Sequence, residues 1–270
     1  MNLSTSTALV TGGAVRIGRA ICKALADHGC NVVVHYNRSE KDAGELAEEL
    51  GRKGVRSFTV KGDLSSEKDC KRIVKDAFDK AGQINILINN AAVFHKYNME
   101  TASEAEIAEE LQINYHAPVM LTEIFASNLK TSITPSLHHS IALPAGKVIN
   151  LLDRRIIGVD PECLPYQLSK KKLAEFTRSA ALEFAPHITV NGVAPGAVLP
   201  PRSGETAKRR SGDAERVVRD KAGEIPMRHA GTPEDVAAAI VFLLEADAVT
   251  GQVIFVDGGQ HLVEGLREEV

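Results

Sequence analysis

No uninterrupted apolar run in this chain is long enough to cross a bilayer, and the first residues, MNLSTSTALVTGG, lack the basic, apolar and small-residue sections of a secretory leader. A cytoplasmic protein is expected. Cysteine is scarce: Cys22, Cys30, Cys70 and Cys163 show no paired short spacing, and Cys22 and Cys70 fall on apolar helix faces. They are read as structural thiols, and neither a disulfide framework nor a metal is expected. An excess of one charge is lacking too. A formal net charge of -3 gives no electrostatic reason to expect nucleic acid or an acidic lipid surface as a partner. A small-molecule ligand fits better. With no repeat, low-complexity tract or linker, residues 1–270 are expected to form a single domain.

What is present is an alternation of short β-rich runs with amphipathic helical stretches. TALVTG, NVVVHY, VRSFTV, INILINN, GKVINLL, ITVNGVA and QVIFVDGG read as strands. Helical spacing runs from Ile17 through Leu25 to a stop at Gly29, from a cap at Ser39 to about Leu50, and from a cap at Ser65 or Ser66. Further helical patterns cover 103–129, 164–185 and 232–245. Strands buried on both sides need continuous apolar sequence and helical crossovers, so the fold class is α/β, a doubly wound parallel sheet with helices on both faces. Two stretches read as loops, 131–146 and 197–226. The second follows the sixth strand and is expected to act as a substrate lid.

TGGAVRIGRAI joins the first strand to the first helix, with Gly12 and Gly18 six residues apart. Glycine there permits a tight turn and close backbone approach, while the helix amino terminus aims unpaired N–H groups at a pyrophosphate. Arg16 replaces the usual middle glycine, where it pairs with phosphate, reaches the substrate edge, or is simply solvated. NAD-preferring sites place an acidic residue at the end of the second strand. Here the stretch is HYNRSE, and His35, Asn37, Arg38 and Ser39 supply donors and a positive charge suited to a 2′-phosphate, so NADPH is expected over NADH. Asp63 either bonds the adenine amino group or caps a turn. NNAA at 89–92 ends the fourth strand with small residues against which a flat ring or sugar fits.

Tyr166 and Lys170 are four apart in a helical pattern, so they share one face. An ammonium nearby stabilises phenolate and is expected to lower the phenol pKa, letting the tyrosine protonate a carbonyl or imine as hydride arrives. Taken alone the pair is a common solvated-face pattern. Beside the cofactor turn and the strand order it reads as a reductase proton donor.

TGGAVRIG, NNAA, Asn114 in INYHAP, Tyr166 to Lys170, NGVAPG and GQVIFVDGG resemble the short-chain dehydrogenases/reductases over nearly the whole chain. The resemblance implies a seven-stranded Rossmann-type sheet, an NADP-type cofactor, a proton relay of Asn114, Tyr166 and Lys170, and a homotetramer. It also implies cofactor contacts from Gly12, Arg16, Ile17, Gly18, His35, Tyr36, Asn37, Arg38, Ser39, Asp63, Leu64, Asn90, Ala91, Ala92, Lys170, Pro195 and Gly196.

One departure carries information. The family's usual serine about a dozen residues before the tyrosine is replaced by Asp153, thirteen before Tyr166. An ionised carboxylate cannot donate to a substrate carbonyl; it accepts bonds from an amino-heterocycle, or, with a raised pKa, protonates a ring nitrogen. Within the family, arginine in the glycine turn, HYNRS, Phe94 after the NNAA turn, DRR and Asp153 together are similar to pteridine reductases, including the bacterial dihydromonapterin/dihydrofolate-reducing branch. That resemblance implies Phe94 stacked on a pterin, with Arg16, Asp153, Tyr166 and Leu199 also at the substrate. Phe94 as a buried core residue is the plainer alternative. A second departure is the absence of the usual threonine after Pro195 and Gly196. The basic residues Arg202, Lys208, Arg209 and Arg210 read as solvated rather than as a site for a glutamate tail. The competing functions are a ketone or 3-oxoacyl thioester reductase of the same fold and a non-catalytic NADPH-binding regulator. The intact Asn114, Tyr166 and Lys170 argue against the regulator.

Overall fold

The structure is a computed structural model that describes residues 1–97, 100–132, 144–198, 223 and 225–263. Seven strands form within the seven apolar runs: β1 (Thr7–Val10), β2 (Asn31–Tyr36), β3 (Ser57–Lys61), β4 (Ile86–Asn89), β5 (Gly146–Leu151), β6 (Ile188–Pro195) and β7 (Val253–Val256). They pair in parallel throughout, in the order β3-β2-β1-β4-β5-β6-β7. Strand order reverses between β1 and β4, and the crevice beyond their carboxyl ends is where ligands of such sheets bind.

The helices are α1 (Arg16–Asp27), α2 (Glu40–Arg52), α3 (Glu67–Ala81), α4 (Glu104–Leu111), α5 (Ala117–Ser132), α6 (Leu164–Glu183), α7 (Pro233–Glu245) and α8 (Gln260–Val263). One sheet face buries Ile21 and Leu25 of α1, Leu46 and Leu50 of α2, and Val236, Ile240, Leu243 and Leu244 of α7. The other buries Ile73 and Val74 of α3, Leu121, Phe125 and Leu129 of α5, and Ala180 and Ala181 of α6. Each such valine, leucine, isoleucine or phenylalanine side chain contributes about 1.5–3 kcal/mol relative to exposure, so the sheet is held from both sides.

Helix ends follow local chemistry. Gly29 takes φ +77° just past α1, and the Ser66 hydroxyl accepts from the Asp69 N–H at 3.3 Å to open α3. Ser103 with Glu106, and Thr232 with Asp235, form reciprocal capping boxes at α4 and α7. Ser39 precedes α2, but its hydroxyl makes no capping bond. The pattern at 103–129 is not one helix. A π-helical turn, Gln112–His116, separates α4 from α5, and Asn114 lies inside it. The helical patterns of α4 and α5 abut this single turn directly, which is why the spacing predicted an unbroken helix. The loop read at 131–146 is helical at 131–132 and enters β5 at Gly146, and 133–143 lie outside the described residues. Of the lid segment 197–226, Val198 forms a parallel bridge with Gly231, while 199–222, Leu199 included, lie outside them.

Candidate active site

The turn after β1 is shaped by crowding. Gly12 has φ +59°, and a Cβ on Gly18 would lie 2.2 Å from the Gly12 oxygen and 2.7 Å from Asn90 Nδ2. Asn90 Nδ2 donates to the carbonyls of Thr11 and Gly12 at 2.8 and 3.1 Å. The Thr11 hydroxyl accepts from the N–H groups of Asn90 (2.9 Å) and Ala91 (3.0 Å). These bonds tie the glycine turn to the NNAA turn across the strand-order reversal. Val15 precedes α1 without a side-chain cap, so its first N–H groups are left for an anion, as a pyrophosphate requires. Arg16 is exposed at this terminus with φ +52°, a left-handed conformation uncommon for a non-glycine residue. Ile17 behind it is half-buried.

His35 requires a correction. It is buried, its Nδ1 accepts from the Gly12 N–H at 3.2 Å, and its Nε2 bonds the Gly62 carbonyl at 3.1 Å. Burial pushes its pKa down to about 4, so it is a neutral brace for the glycine turn rather than a donor to phosphate. Tyr36 and Leu64 are buried as well. Asn37 and Arg38 are exposed and Ser39 is half-buried at the α2 amino terminus, with its hydroxyl uncommitted to a cap. That leaves a guanidinium and a hydroxyl beside a helix end. Asp63 Oδ1 accepts from the Ser65 N–H (2.9 Å) and hydroxyl (2.8 Å), which makes it a turn-capping aspartate. Ala91 is half-buried and Ala92 exposed at the crevice. Pro195 ends β6, with the Gly196 N–H bonded to Val256 O at 3.0 Å.

The proton machinery sits where β5 gives way to α6. Asn89, Asn150 and Thr177 form a buried chain (Asn89 Nδ2 to Asn150 Oδ1, 2.9 Å; Asn150 Nδ2 to Thr177 Oγ1, 2.9 Å) that fixes α6 against β4 and β5. Tyr166, Ser169 and Lys170 lie on the buried side of α6. The Tyr166 hydroxyl donates to Asp153 Oδ2 at 3.1 Å. Lys170 Nζ donates to the Leu151 carbonyl at 2.7 Å and lies 5.8 Å from the Tyr166 ring centroid. In the π turn, Asn114 Nδ2 donates to Ser169 Oγ at 3.2 Å and to the Val93 carbonyl at 2.9 Å, and its Oδ1 accepts from the Val93 N–H at 2.9 Å. Asn114 therefore joins the NNAA turn to α6.

The expected lowering of the Tyr166 pKa does not occur in this arrangement. Burial and the adjacent Asp153 carboxylate raise it well above the usual phenol range, so the hydroxyl keeps its proton. Burial lowers Lys170 to about 8. The sequence brought Asp153 and Lys170 to the same site, but not the direct bond from the phenol to the carboxylate that sets the direction of the shift.

Arg155 is the functional neighbour that sequence reasoning missed as an individual residue, although it stands in the DRR stretch. Its N–H donates to Asp153 Oδ1 at 2.9 Å, and its Nη1 straddles both Asp153 oxygens at 3.2 and 3.3 Å. Its Nε donates to Asp160 at 2.8 Å. Gln167 holds the intervening loop, donating to the carbonyls of Arg155 (2.7 Å) and Gly158 (3.0 Å) and accepting from the Asp160 N–H (3.0 Å). The guanidinium also lies 5.6 Å from the Phe94 ring centroid. Phe94 is 45% exposed, so it is not a core residue, and its ring meets that of Tyr166 edge-on at 4.7 Å. An exposed aromatic ring, a protonated phenol and a carboxylate thus stand side by side. Among the described residues, no group of three His, Cys, Asp or Glu side chains is placed to hold a metal ion. No helix among them is long and apolar enough to cross a membrane.

Residues 13–261 match the family model described as enoyl-(acyl carrier protein) reductase. The chain belongs to the short-chain dehydrogenases/reductases. It is an oxidoreductase of that family. The chain is 31% identical to a 3-oxoacyl-[acyl-carrier-protein] reductase of Staphylococcus epidermidis, over 95% of this chain and 99% of the relative. It is 31% identical to glucose and ribitol dehydrogenase homolog 2 of Arabidopsis thaliana, over 95% and 86%. Among solved structures it is similar to FolM alternative dihydrofolate reductase 1 of Brucella canis, complexed with NADP. That match has 32% identity, a TM-score of 0.82, and coverage of 97% of this chain and 96% of that one.

Proposed function

We propose that this short-chain reductase uses NADPH to reduce a C=N bond of a pterin, dihydrobiopterin, dihydromonapterin or a related dihydropterin or folate. The observation that carries the reading is the Asp153 carboxylate, bonded to Tyr166 beside the open face of Phe94. A pterin is flat, so Phe94 supplies a wall, and its aminopyrimidine edge offers donors for a carboxylate to accept. A simple ketone has no such donors. The cofactor assignment is supported by the uncapped α1 terminus, by Arg38 and Ser39 beyond β2, and by the similarity to an NADP-complexed alternative dihydrofolate reductase.

When bound, the nicotinamide supplies hydride to the ring carbon. Tyr166 gives its hydroxyl proton to the ring nitrogen, completing conversion of C=N to CH–NH. Its phenol is protonated beforehand because burial and Asp153 disfavour phenolate. Lys170, fixed on Leu151 O, places its positive charge by the ring as phenolate forms. Arg155 offsets the Asp153 charge next to that developing anion. Asp153 orients the substrate edge, and Asn114 locks the NNAA turn to α6. The reading includes a cytoplasmic homotetramer comprising residues 1–270 as one domain.

A reduction of 3-oxoacyl thioesters is the second reading. It is favoured by the Staphylococcus relative, which is as similar in identity as the alternative dihydrofolate reductase. NADPH oxidation by the purified enzyme with 7,8-dihydrobiopterin, run beside an acetoacetyl thioester and NADH controls, separates the two. Pterin turnover with NADPH preferred supports the reading; thioester turnover alone overturns it.

A further inference from the structure

A fully buried carboxylate lies outside the proton machinery. Glu110, in the last turn of α4, accepts the His95 backbone N–H on Oε1 at 2.9 Å. The His95 imidazole lies 3.4 Å from the same oxygen, and the Tyr97 ring stacks on that imidazole at 5.7 Å. Four residues further along the helical path, Asn114 grips both the N–H and the carbonyl of Val93. Residues 93 and 95 are thus held through their backbones from one helical element, and Phe94 lies between them. An apolar residue in this buried position would avoid the desolvation of a carboxyl group, so stability alone gives no reason for a glutamate there. Its acceptor oxygen does.

We propose that Glu110 is a positioning residue for substrate specificity, which together with Asn114 clamps the 93–95 segment and so presents the Phe94 ring as a wall of the substrate cleft. The inference rests on the reading that Phe94 faces the substrate. Without that bond the backbone of residue 95 loses its tie to α4, and the ring's angle to Tyr166 is no longer set from both sides. The consequence falls on substrate binding rather than on proton transfer, because Tyr166, Asp153 and Lys170 are held by β5 and α6.

The test is a double-mutant cycle between position 110 and Phe94→Ala, run with whichever of dihydrobiopterin or acetoacetyl thioester the unsubstituted enzyme reduces. Glu110→Asp shortens the reach while keeping the carboxyl group, and Glu110→Gln keeps an acceptor oxygen at full length. Glu110→Asp is expected to raise KM about tenfold with kcat changed less than about twofold and NADPH affinity unchanged. Glu110→Gln is expected to stay within about threefold of the parent KM. In the Phe94→Ala background, Glu110→Asp is expected to change KM by less than about twofold, because the wall it positions is gone. An equal rise in KM with and without Phe94, or a Gln variant as impaired as Asp, overturns the proposal. So does an unchanged KM accompanied only by lower thermal stability. Failure of the pterin reading shows separately, as an unsubstituted enzyme that does not turn over dihydrobiopterin.

Discussion

The phenol of Tyr166 is hydrogen-bonded to Asp153 at 3.1 Å, while the ammonium four residues away is committed to the carbonyl of Leu151. The carboxylate and the burial together keep the phenol protonated, which is the state a proton donor needs before hydride transfer. Tyr166→Phe removes that proton without changing the ring's edge contact with Phe94. A fall in kcat of about 10²–10⁴ is expected, with NADPH affinity retained, measured by steady-state turnover and cofactor titration.

Lys170 gives the site a pH limit. Burial lowers its pKa to about 8, so the ammonium is present below that value and lost as pH rises through it. The expected profile of kcat/KM for reduction falls on the alkaline side with a midpoint of about 8. Lys170→Met lacks the titrating group and is expected to show low activity without that limb, checked by pH-rate profiles of both proteins.

His35 makes a prediction about stability instead. Its folded pKa of about 4 lies below the ordinary histidine value of 6.5, because protonation would charge a buried ring and break its acceptance of the Gly12 N–H. The unfolded chain therefore binds the extra proton first as pH falls. The contribution is fully present above 6.5 and lost progressively toward 4, amounting to about 3 kcal/mol. Denaturant unfolding between pH 7 and 4 is expected to show this slope, and His35→Gln to flatten it.

The sheet was legible because parallel strands buried on both faces leave continuous apolar runs, as NVVVHY and ITVNGVA do. Tyr166 and Lys170 were legible from spacing and chemical type, and Asp153 only from the family resemblance, as the residue in place of the usual serine. What spacing could not carry was the partner of each group. HYNRSE reads as a string of donors, but His35 belongs to β2, a strand covered on both faces, so its ring is buried against the Gly12 and Gly62 backbone. Asp153 reads as a substrate carboxylate, yet it also caps the 3₁₀ turn Arg154–Ile156 through Arg155, a turn too short to leave a periodic pattern. The π turn at Asn114 was hidden for a related reason. A single π turn has no residue signature of its own, and the helical patterns of α4 and α5 run straight into it from either side.

Gly18 tests the cofactor turn directly. A methyl group there would press on the Gly12 carbonyl and on Asn90 Nδ2, so the glycine turn and the NNAA turn must both move. Gly18→Ala is expected to lower stability by about 1–3 kcal/mol. It is also expected to weaken NADPH binding by about tenfold or more, read by thermal unfolding and by fluorescence titration of the cofactor.

In the proposed function, Asp153 is the group that favours a pterin over a ketone. The most direct measurement is kcat/KM of Asp153→Ser for 7,8-dihydrobiopterin and for an acetoacetyl thioester, each against the unsubstituted enzyme. The serine hydroxyl offers a donor suited to a carbonyl and removes the acceptor for the aminopyrimidine edge. The account predicts a loss of about 10²-fold or more on the pterin, with thioester turnover retained or raised. Equal losses on both substrates, or an unimpaired pterin rate, would contradict it.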